Sequence, residues 1–244
     1  MNAVRAVFRR ELHSYFATPV AYVFIVIFLV LASTFTFYLG NFYERGQADL
    51  SSFFTFHPWL YLFLVPALSM RLWAEERKSG SIELLVTLPL DLWEAVLGKF
   101  LAAWAFTLLA IALTFPIWLT VNFLGAPDNG TILAAYIGSG LMAGGFLAVG
   151  SCISAATKNQ VIAFILSVVA CFVLLLAGFP LVLDVFSGWA PQVLVDAIAS
   201  LSFLTHFQSI SRGVIDLRDL VYFALLISVS LYANTIVLAI RRGD

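Results

Sequence analysis

Met70–Lys99 reads MRLWAEERKSGSIELLVTLPLDLWEAVLGK and holds nine of the 27 charged residues (13 basic, 14 acidic) of a 244-residue chain. Uncharged runs flank it, Leu50–Met70 before and Phe100–Pro127 after, 21 and 28 residues long. Four more such runs follow the same pattern: Leu12–Tyr43, Asn129–Thr157, Asn159–Leu183 and Leu220–Ile240, of 32, 29, 25 and 21 residues. A helix needs roughly 20 apolar residues to cross about 30 Å of hydrocarbon, so each run can supply one span. The runs lack the alternation of barrel strands, and a backbone in lipid must satisfy its own hydrogen bonds, which leaves helices. The chain therefore reads as one all-α, polytopic membrane domain over residues 1–244. Its six transmembrane helices are placed at 19–41, 52–74, 96–124, 131–156, 159–183 and 219–240.

The composition agrees. Hydrophobic residues make up 62% and charged residues 11%, against about 25% charge in soluble domains. The net charge of −1 says nothing about nucleic acid, but no basic tract is present to neutralise phosphates, so no nucleic-acid partner is expected. Arg5, Arg9 and Arg10 resemble the start of a signal peptide, but the run behind them is too long and has no A-x-A site, so the first helix is retained. Cys152 and Cys171 show neither metal spacing nor a disulfide framework and read as packing residues.

Basic residues set the orientation. With the amino terminus inside, ten Lys and Arg fall in inner segments and three (Arg45, Arg212, Arg218) in outer ones, while acids divide seven and seven. Lys and Arg bias is what fixes topology, so both termini and the charged segment are expected in the cytoplasm.

Residues 1–18 carry Val4, Val7, Phe8, Leu12, Tyr15 and Phe16 at helical spacing, with arginines on the other side. This is an interfacial amphipathic helix or simply a longer first helix, re-aimed at Pro19. Pro58 and Pro66 in the second span and Pro116 in the third are kinks, whether hinges or static bends. Gly140 and Gly144 form GxxxG in a run rich in small residues, for packing within the chain or for a dimer seam. Residues 184–218 suggest one or two short helices against the outer membrane surface or the bundle. Asp216 and Asp219 suit the positive end of the last helix.

In the charged segment, Glu75, Glu76, Arg77 and Lys78 extend the second helix beyond the membrane, with Arg77 on an exposed face. Gly80 suits a left-handed cap. Ile82–Leu88 then forms a short helix that Pro89 ends, and Asp91 to Glu94 opens the next as a capping box. Residues 75–90 are thus either a short apolar helix held out for a partner's groove or an ordinary solvated loop.

Glu75-Glu76-Arg77-Lys78-Ser79-Gly80-Ser81-Ile82-Glu83-Leu84-Leu85 with Pro89 resembles the E-E-x-x-x-G-T-x-E-x-L-l-x-x-P pattern of ABC-2 type ABC transporter permeases, with Ser81 for the usual Thr. His206-Phe207 and Ser211 to Phe223, with Arg212, Gly213, Asp216, Arg218 and Asp219, resemble the gliding-motility (Gld-type) branch. The resemblance implies a multi-pass permease of the bacterial inner membrane. It implies that a second permease subunit, homodimeric or related, and two copies of a cytoplasmic ABC ATPase complete the transporter. Glu75, Glu76, Arg77, Lys78, Gly80, Glu83, Leu84, Leu85 and Pro89 would then be the coupling region. ATP and Mg2+ would sit on the ATPase, with no cofactor in this chain. Membrane lipid and a companion membrane protein with a large extracytoplasmic domain are further implied partners.

Rival readings are a passive membrane scaffold and an intramembrane enzyme. No G-x-x-x-x-G-K-[ST] occurs: Gly98-Lys99 precedes Phe100, and Trp93 stands where the first glycine belongs. Glu75 and Glu76 resemble the glutamate pair of one membrane-protease class, but Gly80 stands where that class has Arg. His13, His57 and His206 lie on different segments with no carboxylate at ligand spacing. No charged residue lies deep in a span, which argues against an ion relay.

Overall fold

The computed structural model describes residues 3–82, 90–188 and 190–240, and among these it is helical with no strand. Helix α1 (Ala3–Ala17) is followed by Pro19 in the first turn of α2 (Pro19–Thr34), where a missing N–H costs no helical bond. A π-helical turn, Phe35–Leu39, prolongs α2. Helices α3 (Ser51–Ser69) and α4 (Arg71–Ser79) run almost end to end, meeting at Met70 just past Pro66. Helix α5 (Leu92–Ala112) opens with Glu94 accepting from the Asp91 backbone N–H at 3.1 Å. The third run breaks at Leu113–Thr114, and Pro116 starts α6 (Phe115–Leu124). The Thr114 hydroxyl spans that break, 2.6 Å from the Ile111 carbonyl and 2.9 Å from the Tyr136 hydroxyl.

The Asp128 side chain caps α7 (Asn129–Ala156), and Asn159 caps α8 (Gln160–Leu176). Three short helices follow, α9 (Pro180–Ser187), α10 (Gln192–Ala199) and α11 (Phe203–Ser211), before the last long helix α12 (Leu217–Ile240).

Among the described residues five segments are long and apolar enough to cross a membrane, Pro19–Leu39, Ser51–Ser79, Leu92–Leu124, Asn129–Ala156 and Leu217–Ile240, and the bent pair Gln192–Ala199 with Phe203–Ser211 passes the same test as a sixth. The run expected as a span at 159–183 forms the 17-residue α8 and, after a break, the short α9. At 1.5 Å per residue α8 is about 25 Å long. Tertiary contact stops it: Ser202 donates its hydroxyl to the Leu175 carbonyl at 3.1 Å, and a Cβ at Gly178 would lie 2.8 Å from that same side chain. In the 184–218 stretch the bundle-packed alternative holds. Helices α10 and α11 meet at 65°, and α11 is no surface element, since Phe203, His206, Phe207 and Ile210 are buried in the bundle.

The hub is α7, which packs against α3, α4, α5, α8, α11 and α12. Lipid supplies no hydrophobic drive between helices, so close packing must, and small residues permit it. Ser69 of α3 rests on Gly150, Ile210 of α11 on Gly138, and Phe203 of α11 on Gly145. A Cβ at Gly145 would lie 2.6 Å from the fully buried Phe203 ring. Gly145→Val should therefore destabilise the fold by about 1–3 kcal/mol, the usual cost of overpacking. Thermal unfolding in detergent measures the loss, and protease access between α10 and α12 should rise first.

Candidate functional site

Helix α1 turns its apolar face onto α5. Val7 sits over Gly98, where a Cβ would lie 2.8 Å from the valine, and Tyr15 stacks on Phe106 at 5.1 Å. The contacts advance together along both helices, so α1 and α5 run side by side in the same direction.

Between them lies Lys99, 3% exposed. Its Nζ is 2.7 Å from Glu76 Oε1 on α4, 3.3 Å from Glu11 Oε1 on α1, and 5.1 Å from the centre of the Trp73 ring. Arg10 closes the outer side, 2.6 Å from Glu11 Oε1 and 4.0 Å from Glu76 Oε1. A buried ammonium needs paired carboxylates, and here three helices supply the set. Burial by itself would raise the Glu11 carboxyl, but Lys99 and Arg10 outweigh it and hold the group below its ordinary value.

A polar seam continues from this cluster into α7. The Trp73 indole N–H donates to Ser151 Oγ at 3.2 Å, and Asn234 on α12 donates to the same hydroxyl at 2.8 Å. Ser154 Oγ accepts from the backbone N–H of Trp73 and Ala74 and donates to the Met70 carbonyl at 2.8 Å. One hydroxyl thus satisfies the backbone groups freed where α3 meets α4.

The side chains of the charged segment divide between inside and outside. Glu75 and Lys78 are exposed, and Glu75 pairs with Arg71 at 3.1 Å across one turn. Glu76 faces Lys99. The exposed position expected for Arg77 is corrected: it is buried and donates to the Ala155 carbonyl at 2.7 Å, a cation on the negative end of α7. The cause is helical phase, because Arg77 lies four residues after the buried Trp73 and shares its face. Gly80 is left-handed, φ 72°, and caps α4. Ile82 packs on the core. Glu83, Leu84, Leu85 and Pro89, and with them the short helix expected over Ile82–Leu88, lie outside the described residues.

At the opposite end of the bundle His206 meets a carboxylate that lies outside ligand spacing in the sequence. His206 Nδ1 is 2.6 Å from Asp219 Oδ1, and Nε2 is 2.9 Å from the Ser200 carbonyl. A carbonyl only accepts, so Nε2 is the donor there and a proton lies between Nδ1 and Oδ1. Tyr222 stacks on the imidazole at 3.9 Å. The pair is 13 residues apart and locks α11 to α12. Asp216 accepts from the Arg218 N–H at 3.0 Å, while the Arg218 side chain is exposed. Arg212 and Gly213 end α11 above the first turn of α7. Gly140 and Gly144 face α5: the Gly140 carbonyl accepts from the Trp104 indole at 2.8 Å, and a Cβ at Gly144 would lie 3.0 Å from that nitrogen.

Among the described residues no group of three or more His, Cys, Asp and Glu is placed to hold a metal ion. The Lys99 cluster is an electrostatic joint, built to hold α1, α4 and α5 in fixed relation. Sequence reasoning passed over Glu11, Lys99, Trp73, Ser151, Ser154 and Asn234. A usable signal existed in the first two, single opposite charges at the edges of apolar runs.

The linkage sign follows from Glu11. A carboxylate with a depressed folded value stabilises fully above its ordinary value of about 4.5 and loses that contribution as pH falls through the folded value. Amide protection of α1 by hydrogen exchange should hold from neutral pH down to that point and fall below it, and Glu11→Gln should flatten the profile. Lys99→Met leaves two carboxylates facing each other. It should cost on the order of 2 kcal/mol at pH 7, a buried-pair loss discounted for the partial exposure of both acids. Unchanged α1 exchange in Lys99→Met would show that the cluster does not hold the helix.

Comparison with known proteins adds one match. The family model described as ABC-2 family transporter protein covers residues 41–240, from the end of the first span through the last. No curated protein matches the chain. The matched region takes in the root of the charged segment, the α7 hub and the His206–Asp219 lock. It covers well over half of a many-helix membrane protein, and the chain therefore belongs to the ABC-2 family of transporter proteins, as a membrane component of an ABC transporter.

Proposed function

We propose that this permease is driven by ATP hydrolysis on a separate cytoplasmic subunit, and that residues 75–90 are where that subunit pulls. The observation that carries the reading is the rooting of α4. The helix leading into the segment is tied to α1 and α5 through Lys99, to α7 through Ser154 and Arg77, and to α12 through Ser151 and Asn234. A segment anchored this way passes displacement to the whole bundle, which a loop on a flexible stalk does not. The rest of the reading follows from the sequence. No phosphate-binding loop occurs, so ATP and Mg2+ bind the partner. The Lys and Arg bias supports a cytoplasmic side for both termini and residues 75–90, and the family resemblance supports the bacterial inner membrane. The resemblance to the Gld-type branch supports a dimer of permease subunits with two ATPase subunits, and a companion membrane protein outside. The work done is movement of a substrate across or out of the membrane, or mechanical action on that companion.

Cysteine labelling tests the orientation. A cysteine at Asn129 should react with a membrane-impermeant thiol reagent in intact cells, and cysteines at Asn2 and Asp244 should not. The reverse pattern overturns the placement of the segment and the coupling with it.

Coupling has its own test. Leu85→Asp puts an unpaired charge into the apolar contact and should release the ATPase on copurification while the permease still inserts and folds. Arg77→Glu acts differently, because it sets a buried carboxylate against the Ala155 carbonyl. It should lower the yield of folded permease and leave no complex to measure. If Leu85→Asp keeps both ATPase binding and stimulated hydrolysis, residues 75–90 do not carry the coupling.

A further inference from the structure

A cavity of about 430 Å³ opens at the end of the bundle away from Lys99, between the first turns of α3 and α7 and the last turn of α11. That volume is within the roughly 300–1,000 Å³ of small-molecule sites. Phe54, Pro58, Ile132 and Phe207 are buried and form an apolar floor. Asp49, Asp128 and Arg212 line the same cavity at its open side. Arg212 is exposed, and its guanidinium has no hydrogen bond or ion pair among the described residues. Asp128 accepts from the Gly130 and Thr131 amides and the Thr131 hydroxyl. The Thr131 bonds first, and then the Gly130 amide, keep it ionised below the usual carboxylate range. Asp49 accepts from the Ser51 amide and hydroxyl at 2.9 and 2.6 Å, and its other oxygen lies 3.8 Å from the exposed Arg45 guanidinium.

The walls are fixed before anything binds. His206 and Asp219 hold α11 to α12, and Gly213, at φ 89°, lets the end of α11 rest against Thr131, where any side chain would collide. Three charges around an apolar floor select the occupant. A free anion meets two carboxylates, a bare cation meets Arg212, and a wholly apolar molecule leaves Arg212 without a counter-charge at the cavity mouth. A molecule with a phosphate, an ammonium and an acyl chain answers every part of the lining.

We propose that this cavity binds one zwitterionic phospholipid of the phosphoethanolamine type, its chain on the apolar floor, its phosphate at Arg212 and its ammonium at Asp49 and Asp128. The site belongs to the chain alone and does not depend on ATP coupling, so it can stand if the coupling reading falls.

Native mass spectrometry of the purified chain in detergent tests it, with phosphatidylethanolamine, phosphatidylglycerol and diacylglycerol offered separately. One phosphatidylethanolamine should be retained, with the other two held at least about tenfold more weakly, the scale of one lost charge-assisted contact. Inorganic phosphate at millimolar concentration should not displace it. Arg212→Gln should lower retention about tenfold, and Thr55→Trp, on the exposed wall, should lower it by occluding the chain. Gel filtration checks folding, and if Thr55→Trp fails there the surface change Arg212→Gln still decides. Equal retention of diacylglycerol or phosphatidylglycerol overturns the head-group assignment. Displacement by phosphate alone makes the site one for a free anion. Retention untouched by Arg212→Gln, or a copurified polypeptide in place of lipid, overturns the proposal.

Discussion

An ammonium group buried in an apolar helix bundle must find carboxylates, and the arrangement of one end of this protein follows from how Lys99 does so. Its partners, Glu76 and Glu11, lie 23 and 88 positions away in sequence, on two other helices. Meeting that requirement lays α1 along α5 and brings α4 across both. The packing below then becomes possible: Val7 on Gly98, Tyr15 and Phe16 on Phe106. An isolated α1 would be a short amphipathic helix with arginines on one face. Docked, it is part of the bundle.

The second constraint is steric and belongs to α7. Six helices touch it, which a helix of large side chains could not allow. Its glycines, alanines and serines do two jobs. The glycines admit Trp104, Phe203, Ser69 and Ile210 against the backbone, and the serines carry hydrogen bonds where neighbouring helices break. Ser139 adds another polar point, 2.8 Å from His57 Nδ1 on α3 and within hydrogen-bond reach of the Tyr61 hydroxyl. Polar side chains inside a membrane bundle are tolerated when they face one another, and these do.

Much of this was legible because membrane helices are announced by absence of charge. The runs around Met70–Lys99 became helices, Pro19 and Pro116 sit in first turns, Gly80 is the left-handed cap, and Glu94 folds back on Asp91. Three features escaped for three physical reasons. The length of the run at 159–183 says nothing about Ser202, which reaches in from 27 residues away to the Leu175 carbonyl in the last turn of α8. Arg77 was placed outside by its charge, although its spacing from Trp73 put it on the buried face, so the signal was there and charge outweighed it. The His206–Asp219 pair depends on a reversal between α11 and α12 that no local spacing encodes.

The two ends of the molecule share helices, and this has a mechanical consequence. Helices α3 and α7 begin at the apolar cavity, with Phe54 and Ile132 in its floor, and the α3–α4 rod and α7 finish at the Lys99 cluster. A bend at Met70 could have absorbed a pull on α4 there, since α3 stops at Ser69. Ser154 removes that freedom by bonding the backbone on both sides of the break, Met70 before it and Trp73 and Ala74 after it. Displacement of α4 is therefore handed to α7, a helix of 28 residues that at 1.5 Å per residue spans about 42 Å. Packed cores switch between arrangements instead of deforming smoothly. Helix α7, packed against six neighbours between Thr131 and Ser154, joins the two ends, so a rearrangement of its packing at Ser154 reaches the cavity wall it carries.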